Sequence, residues 1–429
     1  PAGSFIVKTA QSFRPHVLDM FEPQDHPNDF PYPGGPPTRP YDAAGWTLAY
    51  QMGVQFDRVL NAFDGPFQRI PYGELQTPVG KIDAAAPAGY TLSSRANNSF
   101  IAVNDLLGAG IPVFRLPQGS GSSEAGAFYV PASPKAKSLL EKSAKELGIE
   151  ALGVAKKPMG TMTKVAPMRI ALWDTYGGSM PSGWVRLLME QYHFPMEVIY
   201  SQAIDEGSLR KKYDVIIFVT RAIPAVGIGR PEGEYGGFVR EPKVEEIPDN
   251  FRPSLGRITA NKSIPQIKKF LEEGGKVVTI GSSANLAYHL GLPVRNALTE
   301  MTNTGTERPL PAEKYYIPGS ILRVTLDSTQ TATWGMASQT DVYFDSSPVF
   351  RLAPDAIAKG QVKPLVWFST NKPLRSGWAW GQTYLQDGIT AFEAPIGAGK
   401  LTVVGPEITF RAQSQGTFKL LFNQLYGTN

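Results

Sequence analysis

The sequence predicts an α/β fold: a parallel sheet covered by helices, with an extended arm in front of it and a β-rich part behind it. Three observations predict this. Short apolar runs at 169–173, 214–220 and 276–280 alternate with amphipathic stretches, the pattern of strands buried on both faces. Residues 1–40 hold Pro15, Pro23, Pro27, Pro31, Pro33, Pro36, Pro37 and Pro40, and each proline removes a backbone donor and fixes φ. Beyond about residue 320, helical spacing gives way to strand-like runs.

The arm is expected to lie along the folded domains, with Phe5, Phe13, Phe21, Phe30, Tyr32, Tyr41 and Trp46 supplying apolar area to bury. The elements follow in order. Asp42 is placed to cap a helix over 43–63 that carries Trp46, Tyr50 and Phe56. Residues 97–107 read as a helix and 111–116 as a strand. Ser133 before Pro134 is a strong helix start, Leu139, Leu140 and Leu147 form its apolar stripe, and Gly148 stops it. Lys135, Lys137, Lys142 and Lys145 read as the solvated face of that helix. Strand 169–173, helix 181–191, strand 196–200 and strand 214–220 come next. An irregular insertion spans about 223–258, then Ser263 is read as capping a helix that Gly274 and Gly275 end. Strands are expected at 276–280, 341–344, 364–368, 390–394 and 400–404, and a last helix at 417–426. These readings divide the chain into an arm and helix at 1–70, a small α/β domain at 71–162, and a larger α/β domain with its β-rich part at 163–429.

Composition bounds the function. At 429 residues the chain is long enough for two or three cores. It has no cysteine, which excludes disulfides, thiolate metal sites and a cysteine nucleophile. A formal charge of +4 with no basic stripe among stacking aromatics argues against nucleic-acid binding. No apolar run approaches the roughly 18–20 residues needed to cross a bilayer. An opening Pro1 is expected of a processed product or an excised fragment.

In open α/β sheets ligands collect at the carboxyl ends of the strands. The residues there are Asp174 and Tyr176 with Gly177-Gly178, then Thr220-Arg221, then Gly281-Ser282-Ser283. Asp174, Tyr176, Arg221, Ser282 and Ser283 therefore form the expected ligand pocket, with the bland reading of Asp174 as a turn cap set beside it. The stretch Gly274 to Ala287 resembles the nucleophile elbow of the class I glutamine-amidotransferase-like superfamily, in which a buried strand runs into a sharp turn at a helix start. Ser283 sits in Gly-Ser-Ser-Ala-Asn, similar to the serine-peptidase version of that turn. Val404-Gly405-Pro406-Glu407 resembles the His-Pro-Glu of the superfamily's triads, with Gly405 where histidine would stand. Ser283 and Glu407 are thus the catalytic candidates, and both depart from the catalytic pattern, so no catalytic residue is expected. Of the four histidines, His16 lies three residues before Asp19, the spacing of a zinc-binding pair, and His26 follows. His16, Asp19 and His26 are the metal candidates, in an arm where polar surface is the ordinary reading, and no metal is expected there.

Two groups of strings resemble one family. Phe13 to Met20, Glu22 to Pro27 and Tyr41 to Leu48 resemble the segment after the catalytic domain of large secreted bacterial zinc-carboxypeptidase-like proteins, metallopeptidase family fourteen. Gly177 to Trp184, Phe344 to Phe350, Arg375 to Trp380 and Gly405 to Gln413 resemble their C-terminal glutamine-amidotransferase-like, flavodoxin-like region. The resemblance implies a secreted or periplasmic accessory region, without a cofactor of its own, whose zinc belongs to a peptidase domain upstream of Pro1. That domain is the implied partner, with a peptide or glycan as ligand. Two alternatives stand beside it: a serine hydrolase built on Ser283, and a metal-dependent hydrolase built on the His16–His26 arm.

Overall fold

The computed structural model describes residues 3–83, 85, 88–119, 123–226 and 242–428. Part of the insertion expected at 223–258 lies outside these residues. A 12-stranded sheet forms the body of the molecule. Its main strands are β1 (Ile170–Trp173), β2 (Met196–Ile199), β3 (Val215–Phe218), β4 (Lys276–Ile280), β5 (Ser320–Leu326), β6 (Gln339–Phe344), β7 (Lys363–Trp367), β8 (Ile389–Ile396) and β9 (Gly399–Val404). They run in the order β6-β5-β7-β8-β9-β4-β3-β1-β2. From β9 to β2 every pairing is parallel, and from β8 to β6 every one is antiparallel. Taken by chain order, the five parallel strands stand 2-1-3-4-5, the doubly wound flavodoxin-like arrangement.

β1, β3 and nearly all of β4 are buried along their whole length, as continuous apolar strands between two layers must be. Helices Met180–Gln191 and Ser263–Glu272 pack on them through Val185, Leu188, Ile267 and Phe270. Ser263 is the first residue of its helix and not the cap: its hydroxyl accepts from Thr259 N and donates to Asp205 Oδ1 at 2.6 Å.

A seven-stranded sheet forms the second body, ordered 81–82, 150–154, 89–92, 128–131, 114–115, 163–167 and 426–428. Its helix Pro134–Leu147 begins as expected, with Ser133 Oγ accepting from Ala136 N at 3.1 Å, and ends at left-handed Gly148. The expected strand 111–116 shrinks to Phe114–Arg115. The last helix is only Lys419–Phe422, because the chain then turns to add Tyr426–Thr428 beside Thr163–Pro167. This return carries Phe422 and Tyr426 onto Phe100. Arg115 lies buried among them, 3.7 Å from the centre of the Phe128 ring, and donates to Gly126 O and Asn423 Oδ1.

The arm departs from expectation in three ways. Arg14–Phe21 is helical with Pro15 in its first turn, where a missing N–H costs nothing. The helix read over 43–63 is only Leu48–Met52, ended by left-handed Gly53, and Asp42 accepts from Ala43 N alone at 2.7 Å. The aromatics Phe5, Phe13, Phe30, Tyr32, Tyr41 and Trp46 all stay exposed. Residues 22–53 nevertheless lie on the β-rich part, held by polar bonds instead. Gln24 N donates to Ser376 Oγ at 2.9 Å, Gly377 N to Gln24 O at 2.6 Å, and Ala44 N to Gly319 O at 2.8 Å. Gln51 receives Ser414 Oγ at 3.1 Å and Gly416 N at 2.9 Å. Residues 57–79 are exposed throughout.

Candidate functional site

β3, β4 and β9 end side by side, so the residues after them meet at one sheet edge. β4 runs into a tight turn, Gly281–Asn285, and then a short helix, Leu286–His289. The left-handed residue of this elbow is Gly281, with φ +61°. A methyl group there would overlap Thr220 Oγ1 and Glu407 Oε1. The apex of the elbow therefore carries no side chain, and the space in front of it belongs to Thr220 and Glu407, which are hydrogen-bonded to each other.

Ser283 is fully buried. Its Oγ accepts from Ala222 N and Ile223 N, each at 3.1 Å, and donates to Val219 O. Ser282 Oγ accepts from Arg221 N at 2.8 Å. The two serines thus staple the loop after β3, which Arg221 needs because it sits at φ 72°, a conformation non-glycine residues rarely hold. Among the described residues no imidazole bonds to Ser283: His289 Nε2 engages Pro224 O at 2.9 Å, and His193 Nδ1 engages Asp105 Oδ1 at 2.6 Å. At Gly405, a side chain would run into the carbonyl of Pro348. The base position is closed as well as empty of histidine.

Glu407 is the electrostatic feature of the site. Burial pushes its carboxyl up to about 7, with Asp345 adding to the shift and Thr220 and Arg221 opposing it. Thr220 donates to Oε1, while Oε2 is buried without a hydrogen-bond partner among the described residues. A buried carboxyl with one unmatched oxygen favours its neutral form. Arg221 and Asp345 are exposed beside it.

Asp174 takes the bland reading: its Oδ1 accepts from Thr175 N at 2.8 Å and Ser179 N at 2.9 Å, capping the turn before helix Met180–Gln191. Tyr176 stays half-buried in that turn. Ser282, Ser283, Arg221 and Glu407 are brought together; Asp174 closes a neighbouring loop. His16 is exposed on its helix, Asp19 Oδ1 accepts from Gln24 Nε2 at 2.8 Å, and His26 Nδ1 lies 2.9 Å from its neighbour Pro27 O. No group of three or more His, Asp or Glu side chains that could hold a metal ion occurs among the described residues. Thr220 and Asp345 are parts of the site that sequence reasoning gave no role. Only Thr220's place after an apolar strand pointed to it.

No family model matches the sequence, and no curated protein does. Solved structures are similar at low identity. A protein from Bacteroides uniformis described as ThuA-like is 10% identical, with 63% of this chain and 94% of that chain covered and a TM-score of 0.33. PurLQS from Thermotoga maritima is 13% identical, with 60% and 98% covered and a TM-score of 0.34. A β-galactosidase from Bacillus circulans sp. alkalophilus is 12% identical, and the match spans 31% of its length and 61% of this chain at a TM-score of 0.31. The fold assignment rests on the strand order within the molecule itself.

Proposed function

We propose that this chain is a binding region with no hydrolytic chemistry of its own, the accessory part of a secreted or periplasmic zinc-carboxypeptidase-like protein. One observation carries the non-catalytic reading: the elbow's apex is a glycine whose facing space is filled by the Thr220–Glu407 pair. A nucleophile needs exposure and a base within about 3 Å, and Ser283 has neither. Its hydroxyl already serves two donors and one acceptor. The association with a peptidase rests on the resemblance of the arm and C-terminal strings, and zinc belongs to the partner domain in this reading. The partner is that upstream domain, and a peptide or glycan is the ligand.

A serine-reactive fluorophosphonate probe followed by intact-mass measurement tests it. The expected result is no adduct on the folded chain over hours. An adduct on Ser283, removed by Ser283→Ala, would establish a hydrolase instead.

A further inference from the structure

We infer that the docked arm completes a carbohydrate-binding groove around Trp380, on the β-rich part and separate from the elbow. Asn28 from the arm joins Glu313, Lys314, Trp380, Gln382 and Tyr384 in lining it. Trp380 is unusually constrained for a partly exposed tryptophan. Its backbone N–H donates to Tyr316 O at 3.2 Å, and its carbonyl accepts from Tyr316 N at 3.1 Å. Its indole Nε1 donates to Glu313 O at 2.7 Å. The buried Trp378 lies nearly parallel to it, with ring centres 6.4 Å apart and planes 13° apart, and donates its own Nε1 to Asn28 Oδ1 at 2.6 Å. Phe30 of the arm approaches edge-on, 6.1 Å between ring centres. Gly381 follows at φ +71°, where a methyl would overlap the carbonyl of Lys314, so the turn that aims the ring requires glycine.

These contacts remove the tryptophan's polar demand and its rotamer freedom, and leave an aromatic surface for a ligand. Rigidity of this kind lowers the entropy lost on binding. The groove is open and shallow and is flanked by amide, carboxylate, ammonium and hydroxyl groups, whereas sites for apolar small molecules enclose most of their ligand. A pyranose fits such a mixture: its C–H face packs on a flat ring, and its hydroxyls bond to side-chain amides and acids around the rim. Glu313 is paired with Arg39 at 3.3 Å and Lys314 with Glu300 at 2.5 Å, so both charges at the rim are offset, which suits a neutral sugar. The inference does not depend on the elbow, and its test leaves the elbow untouched.

The test is titration of the full chain with cellohexaose, chitohexaose, mannohexaose and maltohexaose, read by tryptophan fluorescence and by calorimetry. At least one should give a saturable change that weakens at least tenfold in Trp380→Ala and at least threefold in the exposed Tyr384→Ala, with Lys137→Ala as an unaffected control. Unchanged melting of Tyr384→Ala separates lost contact from lost folding. No saturable change with any of the four sugars, binding that survives both substitutions, or saturable binding of a proline-rich peptide at Trp380 without sugar binding would each overturn the inference.

Discussion

At the scale of single residues, the site turns on what two serines and a glutamate do with their polar atoms. Removing the Ser283 hydroxyl leaves Ile223 N buried without an acceptor, at about 1–3 kcal/mol for an unsatisfied group, while Ala222 N keeps its bond to Val219 O at 3.1 Å. Ser283→Ala should therefore lower unfolding free energy by about 1–3 kcal/mol in urea titration, more than a surface serine would; a change under about 0.5 kcal/mol would show that the staple is dispensable. The serines themselves were legible in the sequence as an elbow. Their role was not, because it depends on the left-handed Arg221 loop, which no periodicity announces. Likewise the partnership of Thr220 with Glu407 joins residues 187 positions apart and exists only because β3, β4 and β9 are neighbours.

At the scale of elements, the parallel strands were readable because burial on both faces leaves a continuous apolar signature, as in Val215–Phe218. The arm was not readable for the opposite reason. Its aromatics suggested burial, whereas Gln24, Thr47 and Gln51 hold it through bonds to Ser376, Gly377 and Gly416, and such polar pairing has no sequence period. The final helix was overextended because Leu420, Leu421, Phe422 and Leu425 fit a helical stripe, while the sheet edge at Thr163–Pro167 claims Tyr426–Thr428 as a strand. Limited proteolysis checks the arm. Cleavage should fall within the exposed 57–79 segment first and spare 22–53; early cuts across 22–53 would show that the polar contacts do not hold it down.

At the scale of the whole molecule, the two sheets are joined through two cations, Lys276 half-buried and Lys419 buried. Lys276 Nζ donates to Tyr426 O at 2.9 Å and Lys419 Nζ to Asn97 Oδ1 at 2.7 Å, and burial pulls both amines down to about 8. In the unfolded chain they keep their protons to about 10.4. Between these values the unfolded state binds more protons, so stability rises with pH across this window. Buried tyrosines act oppositely above about 10, since folding holds Tyr192 and Tyr426 in the neutral form. Melting temperature should climb from pH 8 to a maximum near 10 and then fall, and Lys419→Met should flatten the climb. A monotonic fall from pH 8 in both proteins would contradict this.

The central claim is that the elbow is plugged by a buried, neutral-leaning Glu407. Its folded value of about 7 lies above the usual carboxyl range, so the stability it contributes is full below about 4.5 and lost as pH rises through 7. The most direct measurement is a carbon-detected titration of the glutamate side-chain carboxyls in isotope-labelled protein, with Glu407→Gln to assign the resonance. A midpoint near 7 that disappears in the variant is the predicted result. A midpoint near 4.5 would mean that water reaches the carboxylate and that the space before Gly281 is open.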